Sequence, residues 1–238
     1  MLDKVIWYAA SLIAVIFVFA PHEYAHAFAA YKNGDPTARM RGRMTLNPIK
    51  HIDPTGLILW VLVGFGWAKP VPIDPYNFRS YKKGMFTTAV AGVIVNYIIA
   101  FFAYLIYILL TRFFPVTNAV LWYLYYFLGL CFYLTFFYSL CSFVFNLLPL
   151  YPLDGFRVVE ALTRQINPVQ KFLRNYGQMI LILLIVESFI CGIVVDYVPD
   201  ANIAKIVGYF DILGYIGWFA EKIIGFPITA AWGWILNI

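Results

Sequence analysis

Three polar side chains inside an apolar run carry the first chemical signal in this chain. They lie in Pro21-His22-Glu23-Tyr24-Ala25-His26-Ala27, an HExxH pattern. Residues four apart share one face of a helix, so His22 and His26 can offer imidazole nitrogens to a single metal ion. Glu23 projects to the side, within reach of a water on that metal. Two neutral imidazoles beside a carboxylate base form the constellation with which zinc peptidases activate water near neutral pH. With only 3 His and 4 Glu in 238 residues, chance is a weak source of the pattern. A zinc site that keeps one position open needs a third protein ligand. The candidates are His51 and Asp154, with Glu187 behind them.

These side chains must be positioned by membrane elements. The chain is 63% hydrophobic and 12% charged, with mean hydropathy +0.78, which fits an integral membrane protein and excludes a water-soluble core. Aromatic residues at 20% agree, since Trp and Tyr favour the membrane–water interfaces. The fold expected is a polytopic α-helical membrane protein with four to six membrane segments. It would include a re-entrant segment and a small β-hairpin or edge-strand element between the first and second full spans.

The first span is expected from Val5 to Tyr31, retained and not cleaved as a signal peptide, because cleavage near Ala27–Ala30 would discard the motif. Pro21 removes one backbone hydrogen bond and suggests a bend just before His22. Arg39 to Leu46 alternates polar and apolar residues with period two, which predicts a strand. Thr55 to Ala68 is uncharged but too short to cross about 30 Å of hydrocarbon, so it reads as re-entrant or interfacial. The proline-rich stretch Trp67 to Pro75 reads as a second edge strand or an extended segment. Further spans are expected at Met85–Leu110, at about 120–148 with an unwound tail, and at Tyr176–Val195. The remainder holds one more span or two shorter pieces. Residues 1–238 are expected to form a single membrane domain, with a core at 1–165, C-terminal membrane segments at 176–238, and no sizeable soluble appendage.

Charge sets the expected orientation. Thirteen of the 17 Lys and Arg residues fall in 32–54, 69–84 and 154–175, Arg164 among them. All lie on one side if 55–68 turns back. By the positive-inside rule that side is cytoplasmic and the N-terminus is outside, in a plasma (inner) membrane. The net charge of +5 then reflects cytoplasmic loops and not a nucleic-acid partner. Cys131, Cys141 and Cys191 sit in apolar segments without CxxC spacing and read as packing residues.

Asp154 follows Asn146-Leu147-Leu148-Pro149-Leu150-Tyr151-Pro152-Leu153, where prolines and Gly155 break the helix. Membrane interiors tolerate such freed backbone only around a protein-lined or wet cavity. An aspartate ending this run is costly unless paired or metal-bound, or unless it marks a helix end at the interface. His51 could be a donor behind the ligands, a substrate contact or an interfacial side chain, and the last is favoured.

HEYAH, NLLPLYPLDG, GRMTLNPIKHIDPTG and GWAKPVPIDP together resemble the site-2 proteases, intramembrane zinc metalloproteases, in a short bacterial form without a PDZ or CBS module. The resemblance covers residues 1 to about 165. It implies one Zn2+ per chain held by His22, His26 and Asp154, with Glu23 as general base. It also implies that Asn146 helps to hold the substrate strand. One departure is Ala91-Gly92-Val93…Asn96, where the family usually has proline after the glycine.

The reading that follows is a metalloendopeptidase that cuts single-span membrane proteins or signal-peptide remnants near their cytoplasmic ends. An unwound substrate would pair with the Arg39–Leu46 strand. The lipid bilayer is its surroundings and no nucleic-acid partner is expected. The alternative is a non-proteolytic membrane zinc-binding protein, a carrier or a chaperone-like relic. A carrier would spread several ionisable residues across its spans, and only Glu187 and Asp211 interrupt the later ones. A relic would be expected to lack Glu23 or a ligand, and none is missing.

Overall fold

Long uncharged runs become long helices, as they must where no water is available to satisfy backbone groups. The computed structural model describes residues 2–163, 167–198 and 200–236. Arg164, counted above among the basic loop residues, lies outside the described residues. Among the described residues four helices are long and apolar enough to cross a membrane: α1 (Leu2–Lys32) and then, after two short helices, α4 (Tyr81–Phe113), α5 (Ala119–Asn146) and, after one more, α7 (Pro168–Tyr197). The short helices are α2 (Thr37–Met40), α3 (Pro54–Val63) and α6 (Asp154–Leu162). Beyond α7 come α8 (Ala201–Gly208) and a helical run from α9 (Ile212–Phe219) through a π-turn at Ala220–Ile224 into α10 (Phe226–Leu236). The helices Ala201–Gly208 and Ile212–Leu236 meet at 70°, so this tail is a bent pair of pieces or a broken span.

The helices α1, α4 and α5 pack on one another and form the scaffold. Small residues at the contacts (Ala10, Ala14, Ala27 and Ala30 on α1, Ala89, Gly92, Ala100 and Ala103 on α4) are all buried. They let backbones approach where lipid offers no hydrophobic drive between helices. The tail is fastened to the scaffold by Ala220 and Ile228, which pack with Ala100, Phe136 and Leu140. The indole N–H of Trp232 also donates to the Phe101 carbonyl at 3.0 Å. Helix α7 packs on α6, α8 and α9, and its most apolar stretch is only 11% buried, so it is the most lipid-facing of the four.

Helix α1 runs through Pro21, since one missing N–H does not end a helix supported on several sides. One local expectation is corrected. Arg39–Leu46 is not a strand. Residues 37–40 form α2, and the chain then turns at Gly42 (φ 63°). The alternation of Arg and Met marked no continuous buried face: Met40 and Leu46 are 80% and 59% exposed, and of its apolar residues Met44 packs, half-buried, beside Ala38. Among the described residues the β pairing is a lone antiparallel bridge, Ile52 to Ala68, and Trp67–Asp74 runs extended. The connection at 55–68 is the ten-residue apolar helix α3, half the length of a span.

Between α1 and α4 the loop is knotted around Asp35, which is fully buried. Its carboxylate accepts from the Thr37 N–H and hydroxyl, the Asp74 N–H at 2.8 Å and the Asn77 side-chain amide at 2.9 Å. Burial alone would raise the Asp35 pKa, but these donors outweigh it and hold the carboxyl below its ordinary value.

Candidate metal centre

The HExxH residues fall on α1 about ten residues before its end, and His22, Glu23 and His26 are all buried. Helix α5 ends at Asn146, and the chain passes through turns at 147–153 to start α6 at Asp154. Gly155 permits the tight return. A Cβ there would lie 2.4 Å from the carbonyl oxygens of both Leu147 and Leu148. The path brings the Asp154 Oδ2 to 3.3 Å from Nε2 of His22 and 3.0 Å from Nε2 of His26. The two Nε2 atoms are 2.9 Å apart. One ligand atom from each of the three residues lies within 4.8 Å of the others, so a single ion can be shared.

The donor chemistry fits zinc. Nδ1 of His26 sits 2.7 Å from the Thr88 carbonyl, an acceptor only, so that nitrogen carries the proton and Nε2 keeps its lone pair for a metal. Asp154 Oδ2 is buried and accepts no hydrogen bond of its own. Two imidazole nitrogens and one carboxylate oxygen suit a tetrahedral site with one open position.

Helix α4 supplies the floor, a part the sequence did not reveal. A Cβ on Gly92 would lie 2.4 Å from Nε2 of His26 and 2.7 Å from Cε1 of His22. Glycine is therefore required for α4 to pass beneath the imidazoles. One turn on, Asn96 is fully buried and donates to Ser142 Oγ at 2.8 Å. The same hydroxyl receives the amide of Asn146 at 3.0 Å, which also donates to the Ser142 carbonyl. Asn146 is thus half-buried at the end of α5, tied through Ser142 to α4.

The remaining candidates stand apart from this cluster of three. His51 is 2% exposed, which overturns the interfacial reading. Its Nε2 meets the Thr45 carbonyl at 2.7 Å, so it braces the loop from inside and belongs to neither the ligand set nor the surface. Glu187 accepts from the Cys191 thiol at 3.3 Å on α7. Asp211 caps α9 through the Gly214 N–H and accepts from Ser188 at 2.7 Å. The three cysteines are free thiols within helices.

Comparison with known proteins accords with this geometry. The family profile described as peptidase family M50 matches residues 126–187, which include the Asn146–Gly155 stretch. YwhC of Bacillus subtilis, which bears the name of a zinc metalloprotease, is 37% identical over 192 residues, 78% of this chain and 86% of that protein. The chain belongs to peptidase family M50. Two relatives named zinc metalloprotease Rip2 are more distant. That of Mycolicibacterium smegmatis is 30% identical over 176 residues, and that of Mycobacterium tuberculosis strain H37Rv is 31% identical over 173. Each alignment covers 69% of this chain and 62% or 61% of the relative. No solved structure matches. As an M50 member with this helical fold, the chain is a zinc metalloprotease of the site-2 protease family and a multi-pass membrane protein.

Proposed function

We propose that this M50 protease hydrolyses peptide bonds in or near transmembrane segments, at a centre where His22, His26 and Asp154 hold one zinc per chain. The observation that carries the reading is the convergence of those three ligands, from two elements far apart in sequence, inside a bundle of lipid-facing helices. Zinc bound there supplies Lewis acidity toward water and a peptide carbonyl. Glu23, on the same helix beside His22, takes the proton of the attacking water and returns it to the leaving amine nitrogen. The Thr88 carbonyl keeps His26 in the tautomer whose Nε2 is free. Asn146, at the end of α5 just before the turn that leads to Asp154, holds the extended substrate backbone.

The basic loops support a cytoplasmic location for this end of the bundle and an N-terminus outside. His22 lies ten residues before Lys32, about 15 Å at 1.5 Å per residue, so cleavage falls near the cytoplasmic end of a substrate span. The substrates are single-span membrane proteins or leftover signal peptides in the plasma (inner) membrane. The test compares zinc content and cleavage of a transmembrane model peptide in lipid nanodiscs between wild type and Asp154→Ala. Loss of both is expected. Full zinc content and normal turnover in the variant would overturn the ligand assignment.

A further inference from the structure

We infer that the backbone N–H of Val71 is the positioning donor for Glu23, an inference that rests on the protease reading above. The Val71 N–H donates to Glu23 Oε2 at 2.7 Å, and both residues are buried. Val71 lies between Pro70 and Pro72, neither of which has an N–H. It is therefore the sole backbone donor in three residues, and it is spent on the carboxylate.

The rest of the segment is fixed from several directions. The Val71 side chain packs with Ala27, one turn beyond Glu23 on α1, and with Ala38 of α2. On the N-terminal side, the Lys69 N–H donates to the His51 carbonyl at 2.8 Å, next to the Ile52–Ala68 bridge. The Arg43 guanidinium clasps the Lys69 and Pro70 carbonyls at 2.8 and 3.3 Å. The buried His51 ring in turn holds the Thr45 carbonyl. Loop 43–53 and the extended segment 67–73 thus form one brace, and the one N–H of its Pro70–Pro72 stretch ends on the general base.

A glutamate has three rotatable bonds, and proton transfer demands its carboxylate within hydrogen-bond reach of the reacting water. A fixed donor on one oxygen removes most of that freedom and leaves the other oxygen to carry the proton. The prolines make the donor rigid, and no neighbouring amide competes for the carboxylate.

Two measurements on the zinc-loaded protein in lipid nanodiscs test this. The first is hydrogen exchange of the Val71 amide, the one exchangeable backbone position between Lys69 and Ile73. Protection is expected in wild type and in Glu23→Gln, which keeps an acceptor oxygen. Exchange at least about tenfold faster is expected in Glu23→Ala, with the Lys69 amide unchanged. Equal exchange in wild type and Glu23→Ala would overturn the contact, and this arm needs no turnover.

The second is Val71→Pro, which removes the donor N–H and replaces the packed isopropyl group, with Val71→Ala as the control for the side chain. Loss of roughly 10- to 100-fold in kcat is expected, the worth of one hydrogen bond to a charged group, with KM within about threefold and zinc content unchanged. Val71→Ala, which keeps the N–H, restores most of that turnover. Wild-type kcat in Val71→Pro would overturn the positioning role. An inactive, zinc-replete wild type would instead sink the protease reading, so the two failures are told apart.

Discussion

In the proposed mechanism Glu23 and the three ligand side chains have separable roles, and single substitutions should separate them. Glu23→Gln removes the proton acceptor and leaves His22, His26 and Asp154 in place. Turnover should fall by about 10²- to 10⁴-fold with zinc content unchanged by metal analysis. Normal cleavage by that variant would take Glu23 out of proton transfer. Gly92→Ala should do the opposite. Its new methyl would lie 2.4 Å from His26 Nε2, so an imidazole must move. Zinc affinity, read by competition with a chromogenic chelator, should drop by roughly 10- to 100-fold, the range seen when the surroundings of a ligand are disturbed. The HExxH pattern exposed Glu23 and two ligands directly, because i and i+4 are neighbours on any helix. Gly92 could not be seen this way, because its role is an absence of side chain that matters only once α4 crosses α1.

At the scale of elements, the site depends on how two connections are pinned. The turn that presents Asp154 packs its Tyr151 backbone on α7, where a Cβ at Gly177 would meet the Tyr151 nitrogen at 2.6 Å and oxygen at 2.7 Å. Gly177→Ala must push this turn away from α7, at a cost of about 1–3 kcal/mol. It should lower both the unfolding temperature and zinc affinity, although Gly177 touches no ligand. The α1–α4 connection is pinned by Asp35. Its pKa is depressed in the folded state, so its contribution is present above the unfolded carboxylate value and is lost as pH falls through the folded one. Wild type should therefore lose stability below about pH 4, the ordinary range of an aspartate. Asp35→Asn should be less stable at pH 7 by about 1–3 kcal/mol and flatter across that acid range, as read by thermal unfolding followed through tryptophan fluorescence. The predicted strand at Arg39–Leu46 failed at this scale. Alternation signals a strand only when one set of side chains is covered, and here Met40 and Leu46 face outward.

For the molecule as a whole, alternate passage of α1, α4, α5 and α7 puts residues 33–80 and 147–163 at one end of the bundle and 114–118 at the other. If the basic loops are cytoplasmic, a membrane-impermeant thiol reagent applied to intact cells should label Val116→Cys and spare Lys50→Cys. The pattern should reverse in inverted vesicles. The opposite result would invert the proposed orientation and place cleavage at the outer face. The native thiols sit in helices, two of them buried, so background labelling should be low.

The sequence by itself determined the helical membrane class, the approximate spans and a short set of candidates for the metal site. Hydropathy and helical periodicity are local properties, and ligand chemistry belongs to residue type. Only the tertiary structure decided that Asp154 and not His51 meets the imidazoles. It alone also showed that the Thr88 carbonyl meets His26 Nδ1, that Gly92 makes room, and that the Val71 N–H meets the Glu23 carboxylate. Each of these is a contact between elements distant along the chain, made by a backbone atom or a missing side chain. Such groups are chemically alike at almost every residue, so nothing in the order of amino acids marks which one will be used.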